Sequence, residues 1–290
     1  MNTIFNNNDG RISTEDTDVD VLRAEAAICA GKNIVVKYGG AAMSNDAYKR
    51  AAMRDVAMLS QLGIKITLVH GGGPEIDSML NKMGKKAVFI DGLRYTDAET
   101  LDIVCMTLAG KVNKELVGLI CAAGGRAVGL CGADGAVLRV GKRRGQPDLG
   151  FVGDIRQTDT ALLEMLLSGG FIPVLATIGA DDTGSLFNIN ADTAAAAVAV
   201  ALRAEKLISM TDVKGVLDTD GSTIKTIRAG EARRLIDCGA VSGGMIPKVE
   251  CCAAAVEGGL KEAVVIDGRV SHAVLRALSR DGEGTKFVKC

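Results

Sequence analysis

Apolar residues along this chain fall into two kinds of segment. Short runs of nearly continuous apolar residues at 33–38, 65–70, 127–131, 137–140, 171–178, 206–210 and 263–266 predict buried strands. Between them, apolar positions recur every three or four residues and predict helices over 45–62, 74–83, 97–122, 160–167, 192–203, 231–238 and 246–257, with a last one from about His272. In the longest of these, Leu101, Val104, Leu108, Val112, Leu116 and Ile120 share one face. Hairpins are predicted around Asp91-Gly92 within 88–96 and around the polar residues 218–221. Ahead of the first strand, Val19, Leu22, Ala26 and Cys29 have the spacing of a short amphipathic helix over 19–30. Residues 1–18 are Asn- and Asp-rich and are expected to be a disordered tail. Continuous apolar strands alternating with helices imply a largely parallel sheet covered on both faces, a three-layer α/β/α sandwich. Its two lobes are expected at 31–180 and 181–290, and no internal repeat is visible.

Composition narrows the function. Glycine supplies 36 of 290 residues and proline only 4, so the glycines belong in turns and where backbone must approach something closely. Charges nearly balance, 34 basic against 35 acidic, and aromatics are 3%, which removes both the electrostatic footprint and the stacking platforms of a nucleic-acid binder. Only two histidines, His70 and His272, are present, and none of the eight cysteines forms a C-x-x-C pair, so no metal site is expected. The cysteines read as free thiols of a reducing cytosol, mostly small buried hydrophobes. The acid-rich first twenty residues do not resemble a signal or transit peptide. The longest apolar run, 194–202, is far short of the roughly 20 residues that span a bilayer, and a cytoplasmic protein is expected.

Two strands end in glycine runs that open helices, Lys37-Tyr38-Gly39-Gly40 and His70-Gly71-Gly72-Gly73-Pro74. Such turns bare backbone N–H groups at a positive helix end, which suits phosphate, although either alone is equally a tight βα turn. Two at neighbouring strand ends point into a shared crevice. Neither is G-x-G-x-x-G, and no G-x-x-x-x-G-K-[ST] occurs. Lys37 and Lys248 stand beside glycine-rich helix starts, as anion clamps or as solvated charges. Arg94 is a carboxylate fork or a hairpin-tip charge, Asn188-Ile189-Asn190-Ala191-Asp192 reads first as a helix N-cap cluster, and His70 reads as structural. Cationic clamps, amide cradles and one anchored carboxylate, without a nucleophile–base pair, suit phosphoryl transfer. A carboxylate acceptor, with a pKa of about 4, needs no base.

At these residues the chain resembles the N-acetylglutamate kinase family of the amino-acid kinases. The resemblance runs from Val19 to Val288 through KYGGAAM (37–43), VHGGGPEID (69–77), GLRYTDAET (92–100), LAGKVNKELV (108–117), LGFVGDI (149–155), FNINAD (187–192), SMTDVKGVLD (209–218), GGMIPKVE (243–250) and VIDGRV (265–270). It implies transfer of a phosphoryl group from ATP, carried with Mg2+, to N-acetyl-L-glutamate, the second step of arginine biosynthesis. The amino-terminal lobe would hold the acyl amino acid and the carboxy-terminal lobe the nucleotide. By position, Lys37 and Lys248 resemble the lysines that stabilise the transferring group, and Asp192 the carboxylate that organises them. Gly40 and Gly72 resemble the amide donors, with Gly72 and Gly73 also touching the acceptor, and Arg94 and Asn188 its binding pair. Thr211, Asp212, Lys214, Gly215 and Val216, with Gly243, Gly244 and Met245, resemble the nucleotide-binding stretches.

The resemblance also implies a homo-oligomer, a hexamer built from dimers with the dimer as fallback, and two regulators, arginine and the PII nitrogen-signalling protein. Here the chain departs from the family. Phe187 replaces the usual Tyr, and Cys131 the Ser of Gly-Leu-Ser-Gly. The last helix lacks the Glu of arginine-inhibited members, with Arg276 or Ala277 in its place and a tail one residue shorter before Gly282-Glu283-Gly284-Thr285. Two rival readings are a sibling kinase acting on carrier-linked aminoadipate, which would change 92–96, and a non-catalytic regulator, which would lose Lys37, Lys248 or Asp192.

Overall fold

The computed structural model describes residues 14–43, 45–90, 92–218, 220–279 and 282–289. In chain order the strands are β1 (Asn33–Tyr38), β2 (Lys65–His70), β3 (Phe89–Ile90), β4 (Leu93–Arg94), β5 (Ala127–Cys131), β6 (Leu138–Lys142), β7 (Gly153–Thr158), β8 (Ile172–Ala176), β9 (Ile178–Ala180), β10 (Leu186–Asn188), β11 (Lys206–Thr211), β12 (Thr226–Arg228), β13 (Glu262–Asp267) and β14 (Thr285–Val288). The helices are α1 (Thr14–Ala26), α2 (Asp46–Gln61), α3 (Gly73–Lys82), α4 (Ala98–Cys105), α5 (Asn113–Ala122), α6 (Ala161–Ser168), α7 (Ala191–Ala201), α8 (Ala232–Asp237), α9 (Ile246–Glu257) and α10 (Ala273–Arg276).

Eight strands form one sheet in the order β12-β14-β13-β11-β1-β2-β8-β5, parallel throughout except for the β13–β14 pair. The pleat sorts β1 between two cores. Ile34, Val36 and Tyr38 join a cluster with α2, α5 and α10, while Val35 joins the opposite cluster beneath α6, α7 and α9. Helices therefore cover both faces, as the apolar pattern predicts. β1 pairs on one side with β2 and on the other with β11, so the sheet is continuous across the boundary expected at residue 180.

Several expectations are corrected. The run at 171–178 breaks at Thr177: β8 stays in the large sheet and β9 enters a second, four-stranded sheet of order β10-β9-β6-β7. The helix over 97–122 is interrupted by a π-helical turn at Met106–Val112. The last helix is the single turn α10. Helical structure starts at Thr14, five residues inside the expected tail, whose residues 1–13 lie outside those described. Of the seven cysteines with described surroundings only Cys252 is buried, and Cys121 in α5 and Cys238 just past the end of α8 are exposed. No helix among the described residues is long and apolar enough to cross a membrane.

Candidate active site

The alternation that sends Val35 toward α7 and α9 sends Lys37 the same way, to the carboxyl end of β1. There α7 begins. Asn190 caps it, its side-chain oxygen accepting the Asp192 and Thr193 N–H groups at 3.0 Å each, and this places Asp192 in the first turn. Lys37 Nζ lies 3.0 Å from Asp192 Oδ1, and Lys248 Nζ, from the first turn of α9, lies 3.2 Å from Oδ2. Ser209 on β11 adds a hydroxyl 3.5 Å from Oδ1. Lys37 is 4% exposed and Asp192 8%. Burial would raise the Asp192 pKa, but the two ammonium groups outweigh it and leave the carboxyl below its ordinary value. Three charges brought from positions 37, 192 and 248 thus form one triad with an excess positive charge, Lys37 and Asp192 buried and Lys248 half-buried.

The two glycine turns lie side by side, because Gly71 N–H donates to Tyr38 O at 3.2 Å. Gly40 has a φ of +71°, open to glycine at no steric cost. A Cβ on Gly72 would sit 2.7 Å from Leu108 Cδ2, so any larger residue would have to displace Leu108 of the π-helical turn. Arg94 is only 7% exposed. The guanidinium stacks 4.6 Å over Phe89, donates to Asp77 Oδ1 at 2.6 Å, and reaches Gly73 O at 3.4 Å. Asn188 Nδ2 donates to Thr96 Oγ1 at 3.3 Å, and Thr96 Oγ1 donates to Arg94 O at 2.9 Å, so the two elements are tied together.

A cavity of about 150 Å³ is bounded by Gly71, Gly72, Gly73, Arg94 and Asn188. A larger one, about 720 Å³, is bounded by Asp192, Lys248, Gly243 and Gly244. Leu93 and Asn190 line both, so the cavities adjoin beside the triad. Met245 closes the short 3-10 turn Gly243–Met245 that leads into α9. The stretch after β11 lies elsewhere. Thr211 Oγ1 donates to Asp212 Oδ1 at 3.2 Å, Val216 N–H donates to Thr285 Oγ1 at 2.8 Å, and Gly215 packs against the same threonine. Lys214 lines a separate cavity of about 260 Å³ with Asp267, Arg276 and Glu283. The glycine turns, the hairpin, α7 and α9 thus bring eleven of the sixteen residues singled out in the sequence to one region, and the five of the 211–216 stretch lie apart from it.

Asp77, Thr96, Leu108 and Ser209 are not among the site residues that the sequence singles out. Ser209 and Thr211 carried a signal, as polar residues at alternate positions of an otherwise apolar strand. The partners of Asp77 and Thr96 are set only by tertiary approach.

The chain matches the amino acid kinase family over residues 32–267. It belongs to that family. Its relatives include the acetylglutamate kinases of Brachyspira hyodysenteriae, 51% identical over 89% of this chain and 91% of that one, and of Nostoc sp., 50% identical over 89% and 88%. Among solved structures, an N-acetylglutamate synthase from Neisseria gonorrhoeae complexed with coenzyme A and N-acetyl-glutamate superposes with a TM-score of 0.84 at 27% identity. That match covers 96% of this chain and 64% of that longer one. A carbamate kinase from Giardia lamblia, with a TM-score of 0.65 at 16% identity over 90% of this chain and 100% of that one, shares the fold. Relatives at half identity over most of the chain make this protein a kinase, and kinases of this family use ATP.

Proposed function

We propose that this kinase transfers the γ-phosphoryl group of MgATP to the side-chain carboxylate of N-acetyl-L-glutamate, forming N-acetyl-L-glutamyl 5-phosphate and ADP, the second step of arginine biosynthesis. The observation that carries the reading is the Lys37–Asp192–Lys248 triad, set where the glycine-lined cavity meets the one opening on α9. The acceptor lies in the smaller cavity. Arg94 takes its α-carboxylate, Asn188 orients it, and Gly72 and Gly73 touch it. The nucleotide phosphates lie over Gly243, Gly244 and Met245 at the start of α9, where helix N–H groups face an anion. Thr211, Asp212, Lys214, Gly215 and Val216 complete the nucleotide side, beyond the triad's own cavity. The carboxy-terminal part of the chain, from about residue 181, thus serves the nucleotide and the amino-terminal part the acceptor.

A carboxylate oxygen of the acceptor attacks the γ-phosphorus, the bond to the β–γ bridging oxygen breaks, and ADP leaves. No proton moves, so no base is required. Lys37 and Lys248 neutralise the charge spread over the transferring oxygens, and the Gly40 and Gly72 amides donate to them. Both Asp192 oxygens face lysine ammonium groups, so its task is to hold those groups. Mg2+ enters with the ATP as part of that substrate. Hydroxylamine trapping tests the reaction: N-acetyl-L-glutamate and MgATP should give a hydroxamate. If none forms and free glutamate or aspartate is turned over instead, the assignment fails.

The assembly we infer is a homo-oligomer, a hexamer of dimers before a dimer alone. Arginine is proposed as a weak effector, because Arg276 or Ala277 falls where arginine-sensitive members carry an acid, unless Glu283 or another nearby acid substitutes, and PII is the second regulator this reading carries.

A further inference from the structure

We propose that His70 and Asn113, two side chains buried behind the glycine turn, are positioning residues that lock the Gly71–Gly72 peptide so that the Gly72 N–H faces the acceptor cavity. This rests on the reading of Gly72 as an amide donor to the transferring group at the edge of that cavity. His70 ends β2 and Asn113 opens α5 immediately after the π-helical turn, and both have 0% exposure. His70 Nδ1 lies 2.8 Å from Gly71 O. A carbonyl oxygen can only accept, so Nδ1 carries the proton and Nε2 is left as the acceptor. Asn113 Nδ2 fills that role as donor, 3.1 Å away. The same amide group also lies 2.8 Å from Val174 O on β8 and 3.3 Å from Leu130 O on β5, so the sheet itself fixes Asn113.

The consequence follows from peptide geometry. Gly71 C=O and Gly72 N–H belong to one planar trans unit and point in opposite directions. Holding the carbonyl on His70 aims the Gly72 N–H the other way. Two successive glycines could otherwise flip this unit cheaply, since neither carries a Cβ to resist it. On one side Gly71 N–H is fixed by Tyr38 O, and on the other Leu108 presses on Gly72. The carbonyl of Gly71 is the remaining degree of freedom, and His70 takes it. Only the neutral ring fits, because a second N–H would face the Asn113 amide, and burial keeps the imidazole neutral by pushing its pKa down to about 4.

Two substitutions separate the roles of the ring nitrogens. His70→Asn places an amide N–H near Nδ1 and keeps the donor to Gly71 O. His70→Gln places its amide near Nε2, keeps the contact with Asn113 and loses that donor. The Asn variant should retain most of the parent turnover. The Gln variant should lose kcat by roughly tenfold or more, less than the roughly hundredfold of deleting a preorganised donor because the Gly72 N–H is misaimed and not removed, with KM for MgATP unchanged. Equal kcat in the two variants would overturn the inference. Nitrogen NMR of the unsubstituted protein provides a readout independent of variant folding: at pH 7 the His70 ring should be the Nδ1-protonated tautomer, and an Nε2-protonated ring would also overturn it. If the unsubstituted protein forms no hydroxamate from N-acetyl-L-glutamate, the parent reading falls and takes this one with it. An active parent with equal Asn and Gln variants removes this inference alone.

Discussion

Two ammonium groups share one carboxylate at Asp192, and that ratio sets what each substitution does. Removing either lysine takes a preorganised cation from the transferring group, so Lys37→Met and Lys248→Met should each lower kcat by roughly a hundredfold or more. Steady-state rates within tenfold of the parent in both would take the triad out of the reaction. Arg94→Ala should chiefly raise KM for N-acetyl-L-glutamate and spare that for ATP, because a fork on a distal carboxylate binds ground and transition states alike. A rise for ATP alone would break the proposed division of the cavities. Lys37, Asp192 and Lys248 each stand beside a glycine run or in a cap cluster, but taken singly the lysines read equally as solvated charges and Asp192 as part of a cap. Their meeting was not legible, because it depends on β1 pairing with β11 across about 170 positions of sequence. His70 adds a pH dependence. Its folded pKa of about 4 lies below the ordinary value of 6.5, mainly through burial. As pH falls through 6.5 the unfolded chain takes up the proton first, and stability is lost until the native ring also titrates near 4. Between pH 7 and 5 this should cost about 2 kcal/mol. Urea unfolding at the two pH values should show that loss in the parent beyond whatever His70→Asn retains.

Elements were read best where one physical signal dominated. The strands β1, β2, β8 and β11 are apolar on both faces, and α9 carries Pro247 in its first turn and ends before a glycine pair, so their positions follow from the pattern alone. β7 was missed because its six residues are mostly polar and partly exposed, held by the ladder to β6 and not by a core face. The π-helical turn was missed for a different reason: one apolar stripe continues through it, and the extra residue per turn shows only in the hydrogen bonds. The N-cap of α7 joins local order to chemistry, since Asn190 both satisfies two N–H groups and aims Asp192 at the lysines. Asn190→Ala should cost about 1 kcal/mol of stability, the usual price of a lost cap, and lower kcat besides. Thermal unfolding read together with turnover checks this, and an unchanged kcat at reduced stability would separate the cap from the triad.

At the scale of the molecule, α1 decides between a body that is closed and one that offers a face to another copy. Leu22 and Ala26 are buried against the core of α2 and α10, and Arg276 Nη2 lies 3.3 Å from Asp18 Oδ2, so the helix is docked on its own chain. That docking leaves Val21 55% exposed and Ile28 71% exposed, seven residues apart and so on one side of the segment. Such apolar side chains are what a neighbouring α1 would cover. Docking on the body explains why so short a helix persists, which its own length would not ensure, since isolated helices below about 12–15 residues are marginal in water. The hexamer proposed here should therefore depend on the exposed pair and not on the buried one. Light scattering should give a hexameric mass for the full chain. A chain starting at Gly31 and the Val21→Glu, Ile28→Glu double variant should both give the mass of a dimer. The double variant leaves Leu22 and Ala26 in place, so it tests the outer face without opening the core. A full-chain mass equal to that of both altered forms would remove α1 from assembly and leave the helix as a clasp within one subunit.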